Sequence, residues 1–78
     1  KTTCDLRGMN SDQALVTMEA FLSQAIVNGI RQATIIHGHG MGTIKNLVRD
    51  YLSSTGMCKG FSPAPREGGG DGATIIEF

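Results

Sequence analysis

Residues 32–43 constrain the fold of this chain more than any other segment, because a short apolar run there ends in alternating histidines and glycines. Residues 32–36 are rich in β-branched side chains, residues 37–42 read His-Gly-His-Gly-Met-Gly, and helical spacing begins at Thr43. A helix that begins directly after a glycine loop presents its first N–H groups at the positive end of its dipole, where anions, phosphate above all, bind. The segment therefore predicts a strand–loop–helix unit with an anion site.

Periodicity and turn residues divide the rest of the chain into further elements. A first helix is predicted to begin after the N-cap type Asn10 and to end at Asn28. Its apolar face is expected to consist of Ala14, Leu15, Met18, Phe21, Leu22, Ala25 and Ile26. The remaining predicted elements are strands over residues 2–6, 57–62 and 73–78, a second helix over residues 43–54, and a glycine-rich turn over residues 66–72.

This order of elements, βαβαββ, predicts an α/β fold with a four-stranded mixed sheet. Strand–helix–strand units with short loops favour parallel pairing, so the first three strands are expected to run in one direction and the fourth against them. The carboxyl ends of the first two strands then lie at the same edge as the amino end of the fourth, where open α/β sheets bind ligands. Residues 5–8, residues 37–43 and the turn with Asp71 and Thr74 are expected to converge there.

His37 has two interpretations from the sequence alone. It can be a structural histidine whose ring is satisfied by a backbone carbonyl, or a general acid or base acting on a phosphodiester. The adjoining glycines and the predicted helix N-terminus favour the second. His39 lies in mid-loop and is expected to be solvated, and a metal pair of the two histidines lacks further ligands at suitable spacing.

The glycines at 38, 40 and 42 are more than a single turn requires. No lysine follows the last glycine in the order of a P-loop, and the third glycine of a dinucleotide-binding fingerprint would fall on Thr43. The remaining functional interpretation is an anion cradle formed by Gly38, His39, Gly40, Gly42 and Thr43.

Asp5 and Arg7 are two residues apart in an extended segment and so share a face. They form either a surface ion pair of little consequence, or a site in which Arg7 clamps a phosphate while Asp5 orients His37 or holds a divalent cation.

The other charged residues of the expected edge have simpler interpretations. Lys45 and Arg49 lie one turn apart on the polar side of the second helix, and form either a solvated face or a track for a nucleic-acid backbone. Glu67 and Asp71 are interpreted as turn formers.

Three motifs in order resemble the Smr (small MutS-related) domain over essentially the whole chain. They are Asp-Leu-Arg-Gly at residues 5–8, His-Gly-His-Gly at residues 37–40, and Gly-Gly-Asp-Gly-Ala-Thr at residues 69–74. With arginine in the first motif, the chain most resembles the Smr domain at the C-terminal end of bacterial MutS paralogues of the second class. Those paralogues are cytosolic ATPases. One departure is His39, because relatives often carry a lysine or another cation there.

The resemblance implies a two-layer sandwich with strand order 1-2-4-3 and both helices on one face. It also implies nicking-endonuclease activity on DNA, notably on branched recombination intermediates, while related domains act on RNA at stalled ribosomes. By position, the catalytic residues would be Asp5, Arg7 and His37. Phosphate or nucleic acid would be bound by Arg7, Gly38, His39, Gly40, Gly42, Thr43, Lys45, Gly70 and Gly72.

Length and composition set limits on these expectations. The chain has 78 residues and is expected to be one domain, residues 1–78, from the C-terminal end of a longer bacterial cytoplasmic protein. Seven basic residues balance seven acidic ones, so no general attraction to nucleic acid is expected. Cys4 and Cys58 are expected to be reduced thiols, and no apolar run is long enough for a membrane span.

Two hypotheses of different classes follow, with a third ranked below them. The first is a nicking nuclease, with a divalent cation (Mg²⁺ or Mn²⁺) left open as a cofactor. The second is a module that binds DNA, RNA or a ribosome without cutting, within a dimeric parent protein that also carries ATPase domains. The third is a dimerisation domain that uses the sheet face without helices.

Overall fold

The structure, a computed structural model, describes residues 2–40 and 42–78. Its elements are β1 (Thr3–Asp5), α1 (Ser11–Val27), β2 (Gln32–Ile36), α2 (Thr43–Thr55), β3 (Gly60–Pro63) and β4 (Ala73–Glu77), with two 3₁₀ turns at Arg66–Gly68 and Gly70–Gly72. The βαβαββ order is therefore confirmed. The third strand was predicted from residue 57 but begins at Gly60, because its pairing starts opposite Glu77, where β4 ends.

The sheet is open and has the strand order β1-β2-β4-β3. β1 runs parallel to β2, with Cys4 opposite Ile35. β4 lies between β2 and β3 and is antiparallel to both, with Thr74 opposite Ile35 and Ile76 opposite Phe61. The first three strands consequently share one direction, as predicted, although β3 reaches the sheet through β4.

α1 begins at a capping box that the sequence allows. The Asn10 side chain accepts from the Gln13 N–H at 2.8 Å, and the Gln13 side chain accepts from the Asn10 N–H at 3.1 Å. The helix buries Ala14, Met18, Leu22 and Ala25. Ile26 was expected on this face but is 44% exposed, because one residue turns a helix by about 100° and Ala25 already occupies the inner edge.

Both helices pack on the same face of the sheet. The fully buried side chains of Met18 and Leu22 from α1 and Val48 from α2 meet Ile35 and Ile76 of the central strands. Burial of each such aliphatic side chain contributes about 1.5–3 kcal/mol relative to its exposure.

The opposite face of the sheet carries polar and half-buried residues, among them Gln32 and Glu77, whose side chains are 2.7 Å apart. Cys4 and Cys58 are not joined to each other in a disulfide. Within residues 2–40 and 42–78, neither helix has the length and apolar character needed to cross a membrane.

Candidate functional site

Three chain segments meet at one edge of the sheet, as the topology predicted. The backbone carbonyl of Gly72 accepts from the N–H groups of His37 at 3.1 Å and Gly38 at 2.9 Å, which ties the loop after β2 to the turn before β4. The Leu6 N–H donates to the Ile36 carbonyl at 2.7 Å and holds the end of β1 beside the same loop. The two glycine motifs and the Asp-Leu-Arg-Gly motif therefore form one continuous surface.

The N-terminus of α2 opens onto this surface without a side-chain cap. Gly42 is the N-cap residue with a left-handed φ of 83°, which favours glycine, and no acidic residue lies in the first turn. Among the described residues, nothing accepts from the N–H groups of Gly40, Gly42, Thr43 or Ile44. These donors sit at the positive end of a helix of 13 residues and are available to an anion.

A small hollow of about 90 Å³ marks the place where an anion would sit. Its walls come from the loop and the first turn of α2: His37, Gly38, His39, Gly40, Gly42, Thr43, Ile44 and Lys45. Met41 belongs to the same loop and lies outside the described residues.

His37 is 7% exposed, and each of its ring nitrogens has one partner. Nδ1 is 3.0 Å from the Gly38 carbonyl oxygen, and Nε2 is 2.8 Å from the Thr74 hydroxyl. Burial lowers the pKa of His37 below 6.5, and the Arg49 and Lys45 charges lower it further, against the Gly38 hydrogen bond and the Asp71 charge. The ring is therefore neutral at pH 7.

Asp5 and Arg7 close on each other at the exposed end of β1. Asp5 Oδ1 accepts from the Arg7 backbone N–H and from Nε, both at 3.0 Å, and Oδ2 accepts from Nη2 at 2.7 Å. The hydrogen bond from the Arg7 side chain is the main cause that lowers the pKa of Asp5 to about 2. Asp5 contacts Arg7, whereas the far nitrogen of His37 is held by Thr74, to which the sequence gave no role.

Asp71 joins the late glycine motif to α2. Its Oδ2 accepts from Lys45 Nζ at 2.6 Å, and its Oδ1 lies 3.1 Å from Arg49 Nη2, a close ion contact whose angle does not make a hydrogen bond. The Lys45 hydrogen bond is the first cause that lowers the pKa of Asp71. Sequence reasoning took Asp71 for a turn former. The available signal was the spacing of Lys45 and Arg49, which puts both on the side of α2 that meets this turn.

Arg49 lies further inside than a solvated helix face allows. Its side chain is 22% exposed, and its Nε donates to the Thr74 hydroxyl at 3.2 Å. Arg49 thus contacts the residue that holds His37.

The comparisons with known proteins agree with this geometry. The family model described as the Smr domain matches residues 4–78. The chain belongs to the Smr domain family. Two relatives named "Endonuclease MutS2" are 43% identical over 77 residues in Lacticaseibacillus casei strain BL23 and 42% identical over 78 residues in Streptococcus sanguinis strain SK36. They cover 99% and 100% of this chain, which spans only 10% of either relative's length.

Two solved structures share the fold. The Smr domain of Thermus thermophilus MutS2 superimposes with a TM-score of 0.94 at 28% identity, covering 99% of this chain and 96% of that one. YdaL, a stand-alone small MutS-related protein from Escherichia coli, gives a TM-score of 0.85 at 25% identity over 99% of this chain and 63% of its own. The fold expected from the resemblance, including strand order 1-2-4-3, is confirmed.

Several glycine amides of the Smr motifs already have acceptors. The Gly70 N–H donates to the Pro65 carbonyl at 2.9 Å, and the Gly72 N–H donates to the Gly69 carbonyl at 3.0 Å. Gly38 donates to Gly72, as described above. These three glycines were predicted to bind phosphate, and in this structure their amides shape the loops. Within the described part of this loop and helix start, the N–H groups without an acceptor are those of Gly40, Gly42, Thr43 and Ile44.

The His39 ring lies against Gly72. A Cβ atom at position 72 would come within 2.7 Å of His39 Nε2, so glycine is needed there for the ring to keep this place. His39 is exposed and separates the hollow from a wider cleft of about 360 Å³, lined by Arg7, Ile36, Gly38, His39, Gly68, Gly69, Gly72 and Ala73. Within the described part of the chain, no group of three or more His, Cys, Asp or Glu side chains could hold a metal ion.

The Asp5–Arg7 contact gives a pH prediction. Removing the guanidinium in Arg7→Gln is expected to raise the pKa of Asp5 from about 2 towards its ordinary 3.8, because the largest favourable contact of the carboxylate is lost. Since the folded-state pKa is depressed, the pair persists as pH falls until about pH 2 and is lost below it. NMR titration of the Asp5 carboxyl carbon measures this, with Arg31→Gln as the charge-matched control. An unchanged Asp5 titration in Arg7→Gln would contradict the contact.

Proposed function

We propose that this Smr domain nicks nucleic acid by hydrolysing a phosphodiester bond, with DNA, including branched DNA, as the substrate. The observation that carries the proposal is the uncapped N-terminus of α2, whose free N–H groups share one hollow with His37 and Lys45. The name of the MutS2 relatives, which calls them endonucleases, supports the same reaction.

Each residue of the edge has a role in this proposal. The N–H groups of Gly40, Gly42, Thr43 and Ile44 bind the non-bridging oxygens of the scissile phosphate. Lys45 adds charge from the first turn of α2. Arg7, 64% exposed at its side chain, clamps the same phosphate or its neighbour with its planar fork after releasing Asp5. His37 is neutral and almost buried, lines the hollow, and contacts the reacting phosphate there.

A divalent cation fits this proposal at Asp5. Mg²⁺ and Mn²⁺ accept one carboxylate together with phosphate oxygens and waters, so a single protein ligand is enough for a cation that arrives with its substrate. Bound there, the cation would neutralise charge on the phosphate. Asp5 becomes available to it when Arg7 turns to the phosphate, which links the two events.

The nicking reaction is tested on supercoiled plasmid with the 78-residue chain in Mg²⁺, in Mn²⁺ and in EDTA. His37→Gln, Asp5→Asn and Arg7→Gln are each expected to lower the nicking rate by about a hundredfold or more, because each removes a group that acts on the reacting phosphate. Glu77→Gln and Arg31→Gln are the matched controls, since both lie at the opposite edge of the sheet.

Circular dichroism and thermal unfolding establish that each variant is folded. Full nicking activity in folded His37→Gln would overturn the assignment of His37, and equal losses in the matched controls would show a general charge effect instead of a site.

Asp71 predicts a second effect, on binding. Its carboxylate pairs with Lys45 and contacts Arg49, so a phosphate at the hollow must compete with it for these cations. Asp71→Asn is therefore expected to tighten DNA binding by about threefold to tenfold and to steepen its salt dependence by about one released counterion. Fluorescence anisotropy with a phosphorothioate DNA measures both.

Glu67→Gln is the control for Asp71→Asn, because it changes the net charge equally on the same loop and Glu67 forms no ion pair among the described residues. Weaker binding in Asp71→Asn, or equal tightening in Glu67→Gln, would contradict the competition.

A second candidate function is a module that binds nucleic acid without cutting it. The observation in its favour is that Asp5 is closed on Arg7 and that both nitrogens of His37 have partners. Binding without cleavage of DNA and RNA in either metal would favour it. RNA or a ribosome as target, and a dimeric parent with ATPase domains in the bacterial cytoplasm, belong to the same set of proposals.

A further inference from the structure

We infer that Arg49 and Thr74 are positioning residues that fix His37 as a neutral imidazole with its proton on Nδ1, so that the ring meets a bound phosphate as a hydrogen-bond donor and not as a base. The inference rests on the proposed function for the identity of the ligand. The protonation pattern itself stands on the contacts of the described residues.

The contacts run from the Gly38 carbonyl through His37 and Thr74 to Arg49, and the groups at the two ends fix the direction of every hydrogen bond between them. The Gly38 carbonyl can only accept, so Nδ1, 3.0 Å away, carries the hydrogen. Arg49 Nε can only donate, so the Thr74 oxygen accepts from it at 3.2 Å. The hydroxyl hydrogen of Thr74 is then left for His37 Nε2, at 2.8 Å. Every member is satisfied only when the ring is neutral and Nδ1 is the protonated nitrogen.

A second proton on the ring would break this arrangement. Nε2–H would donate to the Thr74 oxygen, and the hydroxyl hydrogen of Thr74 would lose its acceptor at a residue that is 0% exposed. The new positive charge would also lie near Arg49 and Lys45 of α2, in agreement with the lowered pKa of His37.

Among the remaining charged groups at this edge, Asp71 raises the pKa of His37, but its effect is smaller than those of burial and of Arg49. Asp71, from the turn before β4, is engaged by the two cations of α2. Asp5 and Arg7, at the end of β1, are exposed and closed on each other. His39, from the loop itself, is exposed and lies against Gly72.

The position of the proton decides what His37 can do. Nδ1 is the nitrogen on the side of the glycine loop, and His37 and Gly38 both line the hollow at the start of α2. A phosphate oxygen that displaces the Gly38 carbonyl meets an N–H there, whereas a general base would need a lone pair at this nitrogen. The sequence left acid and base open, and the network narrows the role to a fixed donor.

Long-range ¹H–¹⁵N NMR of the histidine side chains in the 78-residue chain tests the inference directly, with His37→Gln to assign the signals. At pH 7 Nδ1 is expected to be protonated and Nε2 unprotonated. Thr74→Ser keeps the hydroxyl and should keep both signals. Thr74→Val removes the donor to Nε2, so the Nε2 ¹⁵N signal should shift downfield while the Gly38 carbonyl keeps the proton on Nδ1. A proton on Nε2 in the original chain, or an unchanged Nε2 ¹⁵N signal in folded Thr74→Val, would overturn the inference.

Arg49 is tested by its charge and by its geometry. Arg49→Gln should raise the pKa of His37, since a positive charge beside the ring is removed, while Arg31→Gln, at the other end of β2, should not. Arg49→Lys keeps the charge but lacks the Nε–H that orients the Thr74 hydroxyl. It is expected to shift the Nε2 ¹⁵N signal and to change the pKa of His37 less than Arg49→Gln does. No response of His37 in either folded Arg49 variant would remove Arg49 from the network.

Nicking activity then separates this inference from the proposed function. Thr74→Val should slow nicking by about fivefold to tenfold and Thr74→Ser should restore it, the size expected for one lost hydrogen bond. If the original chain does not nick at all, the proposed function fails while the NMR result still decides the network. If it nicks with Nε2 protonated, the inference alone fails.

Discussion

The carbonyl group of Gly72 is the acceptor on which the site depends. By taking the N–H groups of both His37 and Gly38, it joins the loop after β2 to the turn before β4 and orients the start of α2 relative to the sheet. Two further contacts depend on this junction: the His39 ring lies against Gly72, where a Cβ atom would clash with it, and the Thr74 hydroxyl comes within reach of His37. The two glycine motifs therefore act as one structural unit with a single exposed cradle.

Among the described residues of this edge, two carboxylates hold three cations. Arg7 is paired with Asp5, while Lys45 and Arg49 share Asp71, and the chain as a whole carries seven basic and seven acidic residues. Both carboxylates are exposed to solvent, where ion pairs are weak and are screened by salt, so a phosphate can replace them. A chain of zero net charge can therefore attract a polyanion locally. Phosphates that lie close to the cradle replace the carboxylates as partners of these cations.

Much of the fold could be predicted from the sequence, because it follows from periodicity and turn residues. The short strand–helix–strand connections correctly predicted that β3 runs in the same direction as β1 and β2, although β3 pairs with β4 and not with either of them. Ile26 was wrongly predicted to lie on the buried face of α1, because helical spacing does not show how wide the buried face is. The late start of β3 depends on the length of its partner β4, which the segment itself does not reveal.

The site was predictable only in part. Backbone features such as the uncapped start of α2 follow from glycine spacing, and the convergence of three segments follows from topology. The roles of Thr74, Arg49 and Asp71 depend on side chains from distant parts of the chain meeting across α2 and β4, and no local pattern encodes such contacts. For the same reason the sequence did not show that the amides of Gly70 and Gly72, two residues predicted to bind phosphate, donate to Pro65 and Gly69.

The central claim is that a nucleic-acid phosphate binds where the glycine loop opens α2. Titration of the ¹⁵N-labelled chain with a phosphorothioate DNA, followed by amide ¹H–¹⁵N spectra, tests it most directly. The largest shifts are expected at Gly40, Gly42, Thr43 and Ile44. Shifts concentrated instead at the outer groove of α1, around Met9 and Val16, with the loop amides unchanged, would contradict it.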